Sequence, residues 1–213
     1  MRGEIIDRVC YDHDSGKFTD PIKIHPNKFI VFQGLMTFLL DKMRNLPDLK
    51  IYMEADEVLR MKWKILRDQK ERKYQAQTVS AQIEKRRPDA EKFIHPQKQF
   101  ADWSIHYTTD KNGFLSLGYL LKNSIKIDAL VAELKLLRLE IEHKYHSIDY
   151  QQLCIQGDVD SAEIEKVAYS LYPNLNDLVE GSPKFESGLM GVHQIFFINY
   201  LYNFYNGKNA TFS

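Results

Sequence analysis

Residues 29–53 read FIVFQGLMTFLLDKMRNLPDLKIYM and contain the pattern from which the fold is predicted. The run at residues 29–32 is short and continuously apolar, which is typical of a strand buried on both faces of a parallel sheet. Residues 35–44 have helical spacing, Pro47 ends that segment, and residues 49–53 form a second candidate strand. A strand, a helix and a strand within about 25 residues predict a βαβ unit and therefore an α/β fold.

The alternation of helices and strands continues downstream. Helices are predicted at residues 54–73 and 78–86, and Pro88 is expected to stop the second one. Strands are predicted at residues 103–107 and 114–121, separated by a turn.

The rest of the chain is predicted to be a mainly helical extension. One amphipathic helix is marked by apolar residues at helical spacing: Ile127, Leu130, Leu134, Leu137 and Ile141. Asp160 and Glu163 form a capping-box-like start of another helix. Residues 192–205 are apolar and aromatic nearly all round, so this segment is expected to be buried in a core or an interface.

Charge and cysteine content limit the classes of partner. The 29 basic and 29 acidic side chains give a net charge of zero, so nothing favours nucleic acid or an anionic membrane as partner. Cys10 and Cys154 lie far apart without metal-ligand spacing, which indicates idle thiols in a reducing compartment. No signal peptide is visible, and no apolar run approaches the roughly 20 residues that span a bilayer. These features predict a soluble, cytoplasmic protein.

A series of short motifs occurs in a fixed order in the first half of the chain. They are Tyr11-Asp12-His13 with Gly16, Ile24 through Pro26, Gly34-Leu35, Trp63-Lys64-Ile65, Arg67-Asp68, Glu71-Arg72, Arg87-Pro88-Asp89, Pro96-Gln97 and Ala101-Asp102. The series resembles the phosphoribulokinase/uridine kinase family over roughly residues 3–107. The stretch PDAEKFIHPQKQFAD at residues 88–102 is more similar to the phosphoribulokinase branch. The resemblance implies a P-loop-kinase-type parallel sheet flanked by helices, incomplete at its N-terminus.

The resemblance also implies a function and a set of site residues. The activity would be ATP-dependent, Mg²⁺-assisted phosphoryl transfer to a hydroxyl of a sugar phosphate or nucleoside. In the family, the Arg-Asp pair aligned with Arg67 and Asp68 lies at the active site, and the arginine aligned with Arg72 contacts substrate or nucleotide. A guanidinium offers a planar fork of donors to phosphate oxygens, although each arginine could instead belong to a solvated helix face.

Further binding residues are expected from the same resemblance. Arg86 and Arg87 are predicted to join Arg67 and Arg72 in contacting nucleotide or acceptor phosphate. Tyr11 and His13 complete the binding candidates, and Gln33 joins Arg67 and Asp68 as the catalytic candidates. We expect Arg67, Arg72 and Arg87 to form one anion site.

Two departures from the family pattern count against catalysis by this chain alone. No GxxxxGK[ST] loop occurs in the sequence, so the backbone N–H groups and lysine that cradle the β- and γ-phosphates are not present in it. In phosphoribulokinases, Glu-Gly-Leu-His follows the strand that corresponds to residues 29–32, whereas this chain has Gln33-Gly34-Leu35-Met36 there. A glutamine cannot accept a proton, and loss of a general base typically costs a factor of about 10²–10⁴ in rate.

Two functional hypotheses therefore stay open. One is a kinase domain at residues 1–110, followed by a strand and helical extension at residues 111–213, whose P-loop comes from outside this sequence. The other is a degenerate, non-catalytic kinase-like domain with a binding or regulatory role. In either case we expect residues 29–32 to be paired on both sides, by an upstream segment, a partner chain in a homo-oligomer or split enzyme, or residues 4–10.

Overall fold

The computed structural model describes residues 3–12, 15–27, 29–110, 112–179 and 181–210. The chain divides into two compact units, Met1–Thr37 and Phe38–Ser213.

The first unit contains two small antiparallel ladders. The strands are β1 (Ile6–Arg8), β2 (Tyr11–Asp12), β3 (Lys17–Phe18) and β4 (Ile22–Ile24). Strand β1 pairs with β4, and β2 pairs with β3. None of the described residues up to Thr37 is buried.

The predicted strand at residues 29–32 is wrong for this structure. These residues belong to no strand, and Val31 is 81% exposed. An apolar run becomes a buried strand only where neighbouring strands and covering helices take up its backbone and side chains. Within the described residues, no strand lies beside residues 29–32, so the expected pairing on both sides is not found.

The second unit is built on a five-stranded mixed sheet. Its strands are β5 (Ile51–Ala55), β6 (Trp103–Thr109), β7 (Leu115–Lys122), β8 (Leu139–Tyr145) and β9 (Tyr150–Gly157), in the order β5-β6-β7-β9-β8. Only β5 and β6 are parallel, and the other pairs are antiparallel. The predicted α/β class with flanking helices is confirmed, although the sheet is mixed rather than parallel. The adjacent strands β6 and β7 lie on either side of residue 110.

Helices pack against this sheet, and the chain after β9 is mainly helical. They are α1 (Asp41–Arg44), α2 (Glu57–Arg72), α3 (Ala76–Asp89), α4 (Asp128–Leu134), α5 (Ser161–Leu171), α6 (Leu175–Leu178) and α7 (Gly188–Ala210). The capping box predicted from Asp160 and Glu163 is present at the start of α5. Among the described residues, no helix has the length and apolarity needed to cross a bilayer.

Two predicted helix ends are corrected. Helix α3 includes Pro88 and runs on into a π-helical turn (Ala90–Ile94) and a 3₁₀ segment (His95–Phe100). Proline lacks an N–H, but near the end of a helix it removes only one hydrogen bond. Helix α4 ends at Leu134, and Ile141 lies in β8 rather than in a continued helix.

The core lies on one face of the sheet, beneath α4, α5 and α7. Alternate residues of β6, β7 and β9 point to it, and Trp103 lies against Tyr119 and Phe196 with ring centroids 5.5 and 6.2 Å away. Fully buried members include Leu117, Leu130, Leu134, Leu153, Ile155, Ile164 and Leu175. The predicted burial of residues 192–205 is confirmed for Val192, Ile195, Phe196 and Ile198.

Candidate functional site

The candidate site is organised by Asp68, whose side chain is fully buried near the end of α2. Its Oδ2 accepts a hydrogen bond from Lys64 Nζ at 2.6 Å, one helical turn earlier. Its Oδ1 accepts from Arg67 Nε at 3.0 Å and Nη2 at 2.8 Å, and Arg72 Nη1 lies 3.5 Å from the same oxygen. Residues at i and i+4 share a helix face, so Lys64 and Arg72 flank Asp68 from both directions.

The charge of Asp68 is stable at neutral pH. Burial alone would raise the pKa of this carboxyl, but the hydrogen bonds and positive charges of Lys64 and Arg67 hold its pKa below the ordinary value. A carboxylate in this state is a poor proton acceptor at neutral pH. Its effect is to fix the orientation of the surrounding cations.

The cations around Asp68 remain accessible. The side chains of Arg67 and Arg72 are 49% and 37% exposed, and Lys64 is less so. Three cations around one carboxylate leave an excess of positive charge on this face of α2. Arg67 uses Nε and Nη2 on Asp68, so its Nη1 donors are left for an anion.

A second polar cluster, the His106 cluster, lies at the carboxyl end of the parallel strands. Its members are Glu54, Asp56, Lys98 and His106. His106 Nδ1 is 2.9 Å from Glu54 Oε1, and its Nε2 is 2.8 Å from Asp56 Oδ1. Lys98 donates to Glu54 Oε1 as well. Carboxyl ends of parallel strands are where α/β sheets bind ligands.

Comparison with known protein families identifies the group to which these features belong. The model of the phosphoribulokinase/uridine kinase family matches residues 1–112, more than half of the chain. The chain belongs to the phosphoribulokinase/uridine kinase family.

Individual relatives agree with this assignment. The phosphoribulokinase of Synechocystis sp. is 37% identical over 100 residues, which are 47% of this chain and 30% of that protein. The chloroplastic phosphoribulokinase of Spinacia oleracea is 39% identical over 100 residues, 47% of this chain and 25% of that protein. The uridine kinase of Geobacillus kaustophilus is 29% identical over 140 residues, 63% of this chain and 59% of that protein. The sequence matches thus cover only 30% and 25% of the length of these two phosphoribulokinases.

The same fold is found in a solved phosphoribulokinase. The structure of phosphoribulokinase from Rhodobacter spheroides superposes with a TM-score of 0.54 at 17% sequence identity. The superposition covers 92% of this chain and 70% of the Rhodobacter spheroides chain, so the structural similarity extends well beyond residue 112.

The family arginines do not all converge in this structure. Arg67 and Arg72 meet at Asp68, as described above. Arg87 Nη2 instead contacts Glu84 at 2.7 Å and Glu57 at 3.4 Å. Glu57 begins α2, about 15 Å along the axis from Arg67 at 1.5 Å per residue. Arg87 therefore does not join the Asp68 cluster, contrary to the expectation of one three-arginine site, and Arg86 is exposed on the same helix as Arg87.

The remaining predicted residues belong to the first unit. Tyr11 is 50% exposed and packs edge-on against Phe18, with ring centroids 5.5 Å apart. Gln33 is exposed in a segment without regular structure. His13 lies outside the described residues. The Asp68 cluster belongs to the second unit.

Two site features were missed by sequence reasoning. Lys64 was not predicted to be a site residue, although its i, i+4 spacing from Asp68 on a predicted helix indicated that the two side chains would meet. The His106 cluster had no such signal, because Glu54 and His106 are 52 positions apart and meet only through the register of β5 and β6.

Proposed function

We propose that this chain is the lid- and acceptor-side part of a phosphoribulokinase-like kinase. It would act in ATP-dependent phosphoryl transfer to a sugar-phosphate or nucleoside hydroxyl, together with a P-loop supplied from outside this sequence. The observation that supports the proposal most directly is the arginine array held by buried Asp68. Phosphoryl transfer depends mainly on positioning and on neutralising charge, and an oriented array of exposed cations supplies both.

Each residue of the array has a distinct part in this proposal. Arg67 and Arg72 would bind phosphate oxygens, Lys64 would add a point charge, and Asp68 would hold all three in place. Charge-assisted hydrogen bonds of this kind stabilise a complex by roughly 1.5–3 kcal/mol each. Arg86 and Arg87, on α3, could contact other phosphates only if α3 moves or the ligand extends along α2.

The donors fit the phosphates of ATP better than they fit Mg²⁺. Among the described residues, no group of three or more His, Cys, Asp or Glu side chains could hold a metal ion. Proteins commonly bind Mg²⁺ through one or two carboxylates together with substrate phosphates. When bound, the ion would supply neutralisation of phosphate charge, while the guanidinium groups of this chain orient the nucleotide.

A partner polypeptide that completes the sheet is part of the proposal. Strand β5 lies at the edge of the sheet in the described structure, and Met53 in that strand is 59% exposed. In the first unit, a groove of about 910 Å³ is lined in part by Ile6, Ile30 and Phe32. Exposed apolar surface and an open sheet edge both favour addition of further structure. We infer that the added polypeptide contributes the P-loop strand and helix.

The alternative function is a non-catalytic, degenerate kinase domain that binds or regulates. Gln33 favours it, since an amide cannot take the place of a general base. Both hypotheses predict anion binding by α2, and only the first predicts turnover once a P-loop is present. The free thiols of Cys10 and Cys154 suit a cytoplasmic location in either case.

Calorimetric titration of ATP and of inorganic phosphate into the full chain tests the proposal. We expect Arg67→Ala to weaken binding about 10-fold or more, since one charge-assisted contact is worth roughly 1.5–3 kcal/mol. Arg60→Ala is the matched control, because Arg60 lies on the same helix and pairs with Glu57 rather than with Asp68. Equal affinity of wild type and Arg67→Ala would show that the array is only a solvated helix face.

Turnover then separates the two hypotheses. With ATP, Mg²⁺ and either ribulose 5-phosphate or uridine, we expect no product from the chain alone. Product should form when a polypeptide carrying a strand–GxxxxGK[ST]–helix unit is added, and Arg67→Ala should abolish it. Binding without turnover under both conditions would favour the degenerate domain.

A further inference from the structure

His106 makes two carboxylate contacts that require a charged ring. Its Nδ1 faces Glu54 Oε1 at 2.9 Å, and its Nε2 faces Asp56 Oδ1 at 2.8 Å. An ionised carboxylate only accepts hydrogen bonds, and a neutral imidazole has a single N–H. Both contacts are hydrogen bonds at once only when His106 is an imidazolium.

The charges around the ring favour that state. Two carboxylates face the ring: Glu54, near the end of β5, and Asp56. Lys98 of the 3₁₀ segment donates a hydrogen bond to Glu54. On the third strand, the residue opposite His106 is Gly118, which brings no charge. Partial burial lowers the pKa of His106, but the two carboxylates outweigh it and raise the pKa above its ordinary value.

Asp56 connects this ring to α2. It is the N-cap residue of α2, yet its side chain makes no capping hydrogen bond. The carboxylate is used by His106 instead, while the backbone N–H of Asp56 donates to Tyr107 O at 2.9 Å. The start of α2 is therefore fixed to β6 by one backbone bond and one side-chain bond. Trp63 of α2 adds a third contact, with its ring centroid 5.3 Å from that of Tyr107.

We propose that protonated His106 is a positioning residue for α2, and that loss of its proton frees Asp56 to cap the helix. The inference rests on the proposed function in one respect only: that function gives α2 a role in binding phosphate, through Arg67 and Arg72. With one N–H lost, one carboxylate faces a nitrogen lone pair. Asp56 is the more exposed of the two, at 49% against 25% for Glu54, so it is the one that leaves. Aspartate is a favoured N-cap, and the backbone N–H groups of the first turn of α2 can donate hydrogen bonds to its carboxylate.

The pH dependence follows from the raised pKa. The bridge is complete below the pKa of His106 and is lost as the pH rises through it, somewhat above the usual histidine range near 6.5. The buried ring of His193 does not contribute in this window, because burial lowers its pKa to about 4. The two states of α2 therefore interconvert as the pH rises through the raised pKa of His106.

NMR and fluorescence of the full chain, without nucleotide, test the inference. We expect the Cε1–H signal of His106 to titrate above pH 6.5 or so, and the amide of Leu59, in the first turn of α2, to shift with the same midpoint. The emission of Trp63 should change in parallel, because this ring reports the contact between α2 and Tyr107. Trp63→Phe removes that signal and leaves the buried Trp103 as reference.

Variants separate positioning from a structural effect. His106→Gln should abolish the transition of Leu59 and Trp63, and Asp56→Asn should move the titration of His106 to lower pH. His143→Gln is the matched control, since His143 lies in β8 and contacts Gln151 at 2.9 Å. The inference is overturned if His106 titrates at or below the usual range, or if Leu59 and Trp63 do not follow it. None of these signals depends on phosphate binding, so they stand or fall independently of the proposed kinase function.

Discussion

At the scale of single residues, Asp68 combines full burial with three cationic neighbours. Removing the charge of such a group leaves its partners with a weaker acceptor. We expect Asp68→Asn to lower the free energy of unfolding by about 1–3 kcal/mol, towards the lower end because Lys64, Arg67 and Arg72 are partly exposed. Urea denaturation measures the change, with Glu71→Gln on the same helix as the control.

The free energy of unfolding at acidic pH gives this prediction a second test. The pKa of Asp68 is lowered in the folded chain, whereas an unfolded aspartate titrates near 3.9 or so. Its stabilisation is therefore complete above that value and is lost as the pH falls through the folded pKa. The difference in stability between wild type and Asp68→Asn should shrink from pH 6 to about pH 3. A constant difference across this range would contradict the ion-pair explanation.

At the scale of elements, the helices and strands that form the α2 region were predictable from local pattern. Strands β5, β6 and β7 and helices α2 and α3 occur within a few residues of their predicted limits. Asp68 and Arg67 were identified through the family resemblance, and the structure adds how they are held.

Two predictions were wrong for physical reasons: one segment fits both a helical and a strand pattern, and another lacks the neighbouring strands it would need. Ile141 fits the helical spacing that starts at Ile127, but it also alternates with Glu140 and Glu142. The structure resolves the conflict in favour of β8, because Ile141 pairs with Ile155 of β9. The strand predicted at residues 29–32 was wrong for a different reason: an apolar run does not reveal whether neighbouring strands are present to pair with it. Contacts such as Glu54 with His106 depend on sheet register, which the sequence does not reveal.

The turn from α4 into β8 supplies a prediction at the element scale. Gly157, at the end of β9, has φ +114°, and a Cβ there would lie 2.9 Å from the carbonyl oxygen of Arg138. We expect Gly157→Ala to destabilise the chain by about 1–3 kcal/mol, from backbone strain and displacement of that carbonyl. Gly113 is the control, because it has φ +84° but no atom within 4 Å of its Cβ position. Chemical denaturation of both variants measures the difference, and equal losses would mean that the contact with Arg138 costs nothing.

At the scale of the whole molecule, burial is concentrated in one of the two units. Among the residues whose burial the structure describes, all buried ones lie at or after Phe38, and the main cluster extends from Trp103 to Ile198. The first unit exposes large apolar side chains instead: Ile5, Ile6, Val9, Tyr11, Phe18, Ile22, Phe29, Ile30, Val31, Phe32, Leu35 and Met36. Since burial of apolar surface is the main source of folding stability, the second unit carries most of it.

This distribution leads to a prediction about a shortened chain. Residues 38–213 alone should unfold cooperatively, with a Tm within about 4 °C of that of the full chain, which corresponds to roughly 1 kcal/mol at this size. In the full chain, amides of residues 29–32 should exchange rapidly, while those of β6, β7 and β9 are protected, because only the latter lie in interior strands of the sheet. Calorimetry and amide exchange by mass spectrometry provide both measurements. A fall in Tm beyond about 10 °C on truncation, or strong protection of residues 29–32 in a demonstrated monomer, would show that the first unit contributes to the folded core.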